Sequence, residues 1–227
     1  MRQVEKMMQD IAAEVEYTRH YIGRDALAPR VLNAIRKVPR HEFVPEETRR
    51  FAYENGPASI GYGQTISQPY IVALMTDLLE PQKQDIILEV GTGSGYQAAV
   101  LSLLVKHVYT LEIVPELGGL SRERLQRLGY HNVTARIGDG YAGWPEHAPF
   151  DGIILTAAAT HLPPALLDQL KPGGRMVLPV GLPYLPQELL LVEKDAQGQI
   201  TTTKILDVAF VPLTGEHVSG PAKLDIQ

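Results

Sequence analysis

The 227-residue chain contains no cysteine, which excludes disulfides and Cys-based zinc sites and suits a reducing compartment. It also lacks a basic block, and its formal charge is −5, so a nucleic-acid partner is not expected. No apolar run reaches the roughly 18 residues that a membrane-spanning helix needs, so no membrane association is expected. Met1 to His20 is mixed and charged rather than apolar, so no signal peptide is expected and a cytoplasmic location follows. Histidines 107, 131, 147, 161 and 217 are scattered without metal-ligand spacing, so no metal is expected. No internal repeat or low-complexity tract is present. What is present is an ordinary globular composition, 44% apolar, enough for a full core.

The chain reads as three segments of one domain: 1–80, 81–181 and 182–227. In the first, Val4 to Tyr17 has helical spacing of Val4, Met7, Met8, Ile11 and Val15. A short helix is expected over 29–37, with Pro29 in its first turn, and an apolar helix over 71–79. Between them lies an irregular stretch, 38–70, rich in proline and glycine; a loop of that length is more often functional than idle. From Asp85 onward strands and helices alternate. Strands are expected at 86–90, 107–112, 132–137, 151–155 and 174–180, with helices at 95–105, 115–128 and 163–170. That alternation predicts an α/β fold, a doubly wound and mostly parallel sheet. Residues 188–193 and 201–212, joined at Asp195-Ala-Gln-Gly198, predict an antiparallel C-terminal hairpin at the sheet edge.

The most informative segment is Ile86-Ile-Leu-Glu-Val-Gly-Thr-Gly-Ser-Gly95, a buried strand running into a glycine-rich turn. Such a turn opens a βαβ unit that binds a nucleotide-like cofactor. Gly91, Gly93 and Gly95 form G-x-G-x-G, and Tyr96 occupies the place where a dinucleotide fingerprint has its third glycine. No Lys-Ser/Thr pair follows, so the loop is not a phosphate-cradling P-loop. These departures point away from NAD and ATP and towards a nucleoside cofactor without phosphates, such as S-adenosylmethionine.

Glu112 ends the second strand, 17 residues beyond Gly95, where an acid can accept from both ribose hydroxyls. Asp139, between Gly138 and Gly140 at the end of the third strand, can accept from an adenine amino group or simply form a turn. Glu89 sits inside an apolar strand and either helps to organise the loop and the cofactor's ammonium or is a satisfied core carboxylate. Thr156 to Ala158 leave the fourth strand beside the reacting centre and are small enough to admit a second substrate.

Taken together, Pro39-Arg-His-Glu-Phe-Val-Pro45, Gly61-Tyr-Gly-Gln-Thr-Ile-Ser-Gln-Pro-Tyr70, Leu88-Glu-Val-Gly-Thr-Gly-Ser-Gly-Tyr-Gln97, Gly138-Asp-Gly-Tyr141 and Phe210-Val-Pro-Leu-Thr214 resemble the protein-L-isoaspartate O-methyltransferase family in its bacterial form. The resemblance runs from about residue 25 to 215. The glycine loop alone resembles any class I methyltransferase of Rossmann-like fold, whereas Gly63-Gln-Thr-Ile-Ser-Gln-Pro69 is the discriminating segment.

The resemblance implies S-adenosylmethionine as donor, S-adenosylhomocysteine as product, and the free carboxylate of L-isoaspartyl residues in damaged proteins and peptides as acceptor. It places the active-site serine at Ser67 and implies cofactor contacts from Thr65, Ile66, Gly91, Gly93, Gly95, Glu112, Asp139, Gly140 and Thr214. A monomer is expected. Thr160-His161 departs from the proline and glutamate of the family pattern.

Ser67 also has a structural reading as the N-cap of the helix that follows. The other readings are a different S-adenosylmethionine-dependent methyltransferase, a cofactor-binding module without turnover, and, disfavoured by Tyr96, an NAD dehydrogenase.

Overall fold

The computed structural model describes residues 2–183 and 185–215. Helix α1 (Arg2–Ile22) buries Met7, Met8, Ile11, Val15 and Ile22. It runs five residues beyond the expected Tyr17 and stops where Gly23, at φ 64°, donates back to the Arg19 carbonyl. Helix α2 (Pro29–Lys37) starts on its proline as the sequence predicts.

The irregular stretch carries more structure than expected. Two 3-10 turns cover Arg40–Phe43 and Glu46–Phe51, and then β1 (Ala58–Gly61) and β2 (Gln64–Ile66) form an antiparallel hairpin. Gly61, Tyr62 and Gly63 all take positive φ in its tight turn, which is why glycine flanks the tyrosine. Helix α3 (Pro69–Leu79) begins two residues before the expected Ile71, on the proline itself, and is buried almost all round.

A seven-stranded sheet follows in the order β5-β4-β3-β6-β7-β8-β9. Its parallel strands are β3 (Ile86–Val90), β4 (His107–Glu112), β5 (Val133–Ile137), β6 (Phe150–Leu155) and β7 (Leu170–Val180). Helices α4 (Tyr96–Ser102), α5 (Pro115–Arg127) and α6 (Pro164–Gln169) connect them. The antiparallel strands β8 (Gln187–Lys194) and β9 (Ile200–Val208) complete the edge. One apolar cluster joins one sheet face to α1 through α5, and a second joins the other face to Tyr141, Trp144 and α6.

Two expectations need correction. Strand β7 starts at Leu170 rather than 174, because Leu170 already pairs with Phe150 of β6 and the ladder resumes at Arg175 opposite Gly152, with Lys171–Gly174 bulging out between the two pairs. The last strand ends at Val208 rather than 212. Beyond it the chain crosses to the exit of β6, where Ala158 N–H donates to Val211 O and Leu213 N–H donates to Ala158 O, both at 2.8 Å. This crossing carries Leu213 and Thr214 over the C-terminal ends of the parallel strands.

The N-terminal helices are fastened to strands β7 and β8 of the sheet by charge. Asp77 on α3, 2% exposed, accepts from Arg24 Nη1 at 2.6 Å and from the Ala28 N–H at 2.7 Å. Arg24 also pairs with Glu80, which pairs with Arg175 of β7, and Arg175 reaches Glu193 of β8.

Candidate active site

Strand order reverses between β3 and β6, and in open α/β sheets ligands lie at the carboxyl ends of strands at such a point. A cavity lies there, with about 720 Å³ of open space including its mouth. Its floor is the glycine loop, and its walls come from Leu111 to Val114, Gly140, Thr156 and Ala157. Gln64 to Ser67 close one side, and Val211 to Thr214 close another.

Backbone hydrogen bonds fix the floor. Gly91 and Thr92 N–H both donate to the Leu111 carbonyl, at 2.8 and 3.0 Å, and Gly95 N–H donates to Thr92 O at 2.7 Å. Gly91, Gly93 and Gly95 have φ of 97°, 50° and 86°, conformations that L side chains rarely adopt. A Cβ on Gly91 would stand 2.5 Å from Thr156 Oγ1, and one on Gly140 would stand 2.2 Å from Val90 Cγ1. The loop is therefore a cradle whose space a side chain would fill.

Glu112 is 6% exposed and its carboxylate is aimed by two main-chain donors. Gly93 N–H donates to Oε2 at 2.7 Å and Val114 N–H to Oε1 at 3.0 Å. Both oxygens keep a lone pair for a vicinal diol, as a ribose presents. These features fit a nucleoside cofactor.

Thr65, Ile66, Ser67, Gly91, Gly93, Glu112, Gly140 and Thr214 thus all line one cavity. Three other expected contacts, Gly95, Asp139 and Glu89, stand behind its wall. Gly95 leads into α4, and a Cβ there would stand 3.2 Å from Leu125. Asp139 accepts from the Tyr141 N–H at 2.9 Å and lies against Gly215.

Glu89 is fully buried in the central strand, and so its place favours the core reading over direct cofactor contact. Thr110 Oγ1 donates to its Oε2 at 2.5 Å and lies 2.6 Å from Thr92 Oγ1, so a hydroxyl chain links Glu89 to the loop. Among the described residues its Oε1 has no hydrogen-bond partner of good geometry. Burial pushes its pKa up to about 8, against the favourable pull of Thr110, and the Glu112 charge adds to the rise.

Ser67 does not cap α3. The N-cap is Gln68, with no side-chain cap bond, and Ser67 contributes its main-chain carbonyl to Arg40 instead. The half-buried side chain lines the cavity and also an adjoining groove with Pro57, Thr65, Ile71 and Phe210. His41 serves the loop, its Nδ1 lying 2.7 Å from the Tyr53 hydroxyl. His217 lies outside the described residues. Among the described residues no group of three or more His, Cys, Asp or Glu is placed to hold a metal ion.

Sequence reasoning missed Arg40, which touches both the Ser67 loop and Tyr96. A lone arginine in a proline-rich stretch carries no pattern to mark it as buried.

A parallel sheet ending in reversed strands, a phosphate-free glycine cradle and an aimed acid at the next strand end define the class: a Rossmann-like, S-adenosylmethionine-dependent class I methyltransferase fold. Solved structures agree. One protein-L-isoaspartate O-methyltransferase superposes with a TM-score of 0.80 at 26% identity, over 93% of this chain and 66% of that longer one. A putative protein-L-isoaspartate O-methyltransferase from Plasmodium falciparum, in complex with S-adenosyl-L-homocysteine, gives 0.70 at 27% identity over 90% of this chain and 97% of that one. The family model described as Protein-L-isoaspartate(D-aspartate) O-methyltransferase matches residues 18–218. The protein-L-isoaspartate O-methyltransferase 2 of Syntrophobacter fumaroxidans is 61% identical over 93% of this chain and 86% of its own length. The Myxococcus xanthus protein-L-isoaspartate O-methyltransferase is 51% identical over 88% and 95%. The chain belongs to the protein-L-isoaspartate(D-aspartate) O-methyltransferase family.

Proposed function

We propose that this chain transfers a methyl group from S-adenosylmethionine to the free carboxylate of L-isoaspartyl residues in damaged proteins and peptides. The observation that carries the reading is the shared position of Ser67, on the wall of the cofactor cavity and in the adjoining open groove. The cofactor, when bound, supplies a sulfonium-activated methyl group with a neutral leaving group.

Little else is required of the protein. The free carboxylate of an L-isoaspartyl residue is its α-carboxylate, which loses its proton at about pH 3.5, so the acceptor is already ionised at neutral pH and needs no general base. In the reaction a carboxylate oxygen bonds to the methyl carbon as the carbon–sulfur bond breaks, giving an ester and a thioether. The opposite charges of the reactants cancel. The enzyme's task is alignment of the reacting atoms at roughly 3–3.5 Å. Glu112 holds the ribose end, and Gly91 and Gly93 let the backbone approach the cofactor. Thr65, Ile66 and Thr214 wall the reacting end, with Gly140 beside the base and Asp139 fixing that turn from behind. The Ser67 hydroxyl donates one hydrogen bond to the acceptor carboxylate and sets its direction. One such bond leaves the carboxylate nucleophilic, where a bidentate arginine would blunt it.

The ester activates its carbonyl, so the neighbouring backbone nitrogen can close a succinimide without the enzyme. Ring hydrolysis returns part of the material to a normal aspartyl linkage. The substrate is a flexible main-chain segment of a damaged protein. The segments 1–80, 81–181 and 182–227 act as one domain, since each contributes residues to the cavity wall. The acidic, cysteine-free chain suits a monomer working in the cytoplasm, without nucleic acid or metal. No described helix is long and apolar enough to cross a membrane.

A pair of peptides differing only in isoaspartyl or aspartyl linkage tests the reading. Methylation of the first with release of S-adenosylhomocysteine, and none of the second, is expected. Equal methylation of both would sink it. Ser67→Ala is expected to lower turnover about tenfold or more, as loss of one bond to a charged group does, while S-adenosylhomocysteine binding by calorimetry stays within about twofold.

A further inference from the structure

Arg40 is the largest of the fully buried side chains, at 1% exposure, and no carboxylate pairs with it among the described residues. Its Nε donates to Ala52 O at 2.8 Å and its Nη2 to Ser67 O at 2.6 Å. The guanidinium carbon lies 4.7 Å from the centroid of the Tyr96 ring. Phe43 packs edge-on against the same ring, at 5.5 Å. Among the described residues Nη1 has no hydrogen-bond partner of good geometry, although the Tyr96 side chain favours the cation. Burial holds the guanidinium below its usual pKa, opposed by Tyr96.

A buried cation paired only with dipoles is an expensive way to fill space. Desolvating it costs several kcal/mol, and an apolar side chain of similar volume often gives equal or greater stability. An unmet donor adds to that cost. The arrangement makes sense through what it joins. Ala52 closes the second 3-10 turn, Ser67 carries the hydroxyl that faces the cavity, and Tyr96 is the first residue of α4, straight after the glycine loop. Only a forked, planar cation can donate to two carbonyls in different directions and lie on an aromatic face. Because the peptide unit is planar, pinning the Ser67 carbonyl also restricts where that residue's side chain can point.

We propose that Arg40 is a positioning residue for methyl transfer: its guanidinium locks the Ser67 peptide against Tyr96 and so sets the serine hydroxyl relative to the glycine loop. This rests on the acceptor role proposed for Ser67. The lock acts on the acceptor side of the reaction and leaves the cofactor cradle intact, since the cradle's hydrogen bonds run to Leu111, Glu112, Thr156 and Arg124 and not to Arg40.

Arg40→Lys keeps a cation but loses the fork. It is expected to lower kcat with an isoaspartyl peptide by about 10- to 100-fold, the scale of a 1 Å misplacement. Its Kd for S-adenosylhomocysteine by calorimetry should stay within about twofold. In Arg40→Ala, saturated with S-adenosylhomocysteine to judge folding, added methylguanidinium is expected to restore part of the lost turnover. Wild-type kcat in Arg40→Lys would overturn the proposal. So would a fall in S-adenosylhomocysteine affinity in step with turnover, or failure of both variants to fold with that ligand present, since either assigns Arg40 to the fold alone. The wild-type enzyme runs alongside on isoaspartyl and aspartyl peptides. If it methylates neither, the activity is refuted, and the position of Arg40 is then not what failed.

Discussion

The two sides of the cavity are held in different ways. The donor side is the glycine loop, whose amides bond to the Leu111 carbonyl and the Glu112 carboxylate on the neighbouring strand. The side proposed for the acceptor is a hairpin of two short strands that, among the described residues, pairs with no other strand, with Tyr62 at its tip 55% exposed. Ile60 rests over Gly93, and the segment after the hairpin is tied by side chains, Arg40 to the Ser67 carbonyl and Asn55 to the Tyr70 N–H. A loop wired by main-chain bonds inside a parallel sheet is rigid and tolerates no added side chain. A segment held outside the sheet by side chains is adjustable, which suits the proposed acceptor, a variable stretch of another protein's backbone.

The comparison can be broken most sharply at Gly91. Gly91→Ala meets Thr156 Oγ1 and a φ of 97°, so strain of about 3 kcal/mol is expected. Calorimetry should show S-adenosylhomocysteine affinity reduced by about 100-fold; an unchanged Kd would mean that the donor side is not the rigid half. Glu112→Gln keeps the shape but removes the charge that both main-chain donors and, in the proposed site, the ribose share. An affinity loss of about tenfold, with KM for the peptide unmoved, is the expected split.

Asp77→Ala probes neither half of the cavity but the fastening of α3, from which the Ser67 loop departs. Removing the acceptor of Arg24 and of the Ala28 N–H should destabilise the fold by about 2 kcal/mol in denaturant titration, with kcat of the folded enzyme retained. A drop in kcat at full folding would show that the acceptor loop feels the N-terminal helices.

The remaining test concerns pH and Glu89, whose pKa in the fold is raised to about 8. In the unfolded chain a glutamate loses its proton near pH 4.3. Between these values the folded form holds a proton that the unfolded form has released, so this group's contribution to stability falls as pH rises, by at most about 1.4 kcal/mol per unit, and levels off above pH 8. Thermal melts across pH 5 to 9 should lose this downward component in Glu89→Gln; an identical slope would place the titration elsewhere.

The donor side was legible because its requirements are local. Gly91, Gly93 and Gly95 need positive φ, and Glu112 closes a strand whose apolar run announces it. The strand–helix alternation gave each parallel strand to within a few residues, the widest miss being the early start of β7 at Leu170. Glu89 was legible as buried, but its link to the loop through Thr110 and Thr92 was not, since strand pairing sets that chain of hydroxyls. The serine motif was visible, yet its neighbours suggested a helix cap, and only the turn of the chain at Gln68 shows the hydroxyl spared for the cavity.

The sequence by itself determined the class of cofactor and the order of the parallel core, because glycine conformations and hydrophobic periodicity act over a few residues. The tertiary structure alone decided that Arg40 is buried, that Tyr96 is its platform, and that residues 209–214 cross the strand ends to wall the cavity. Those contacts join positions tens to more than a hundred residues apart, and no local spacing encodes a meeting at that range.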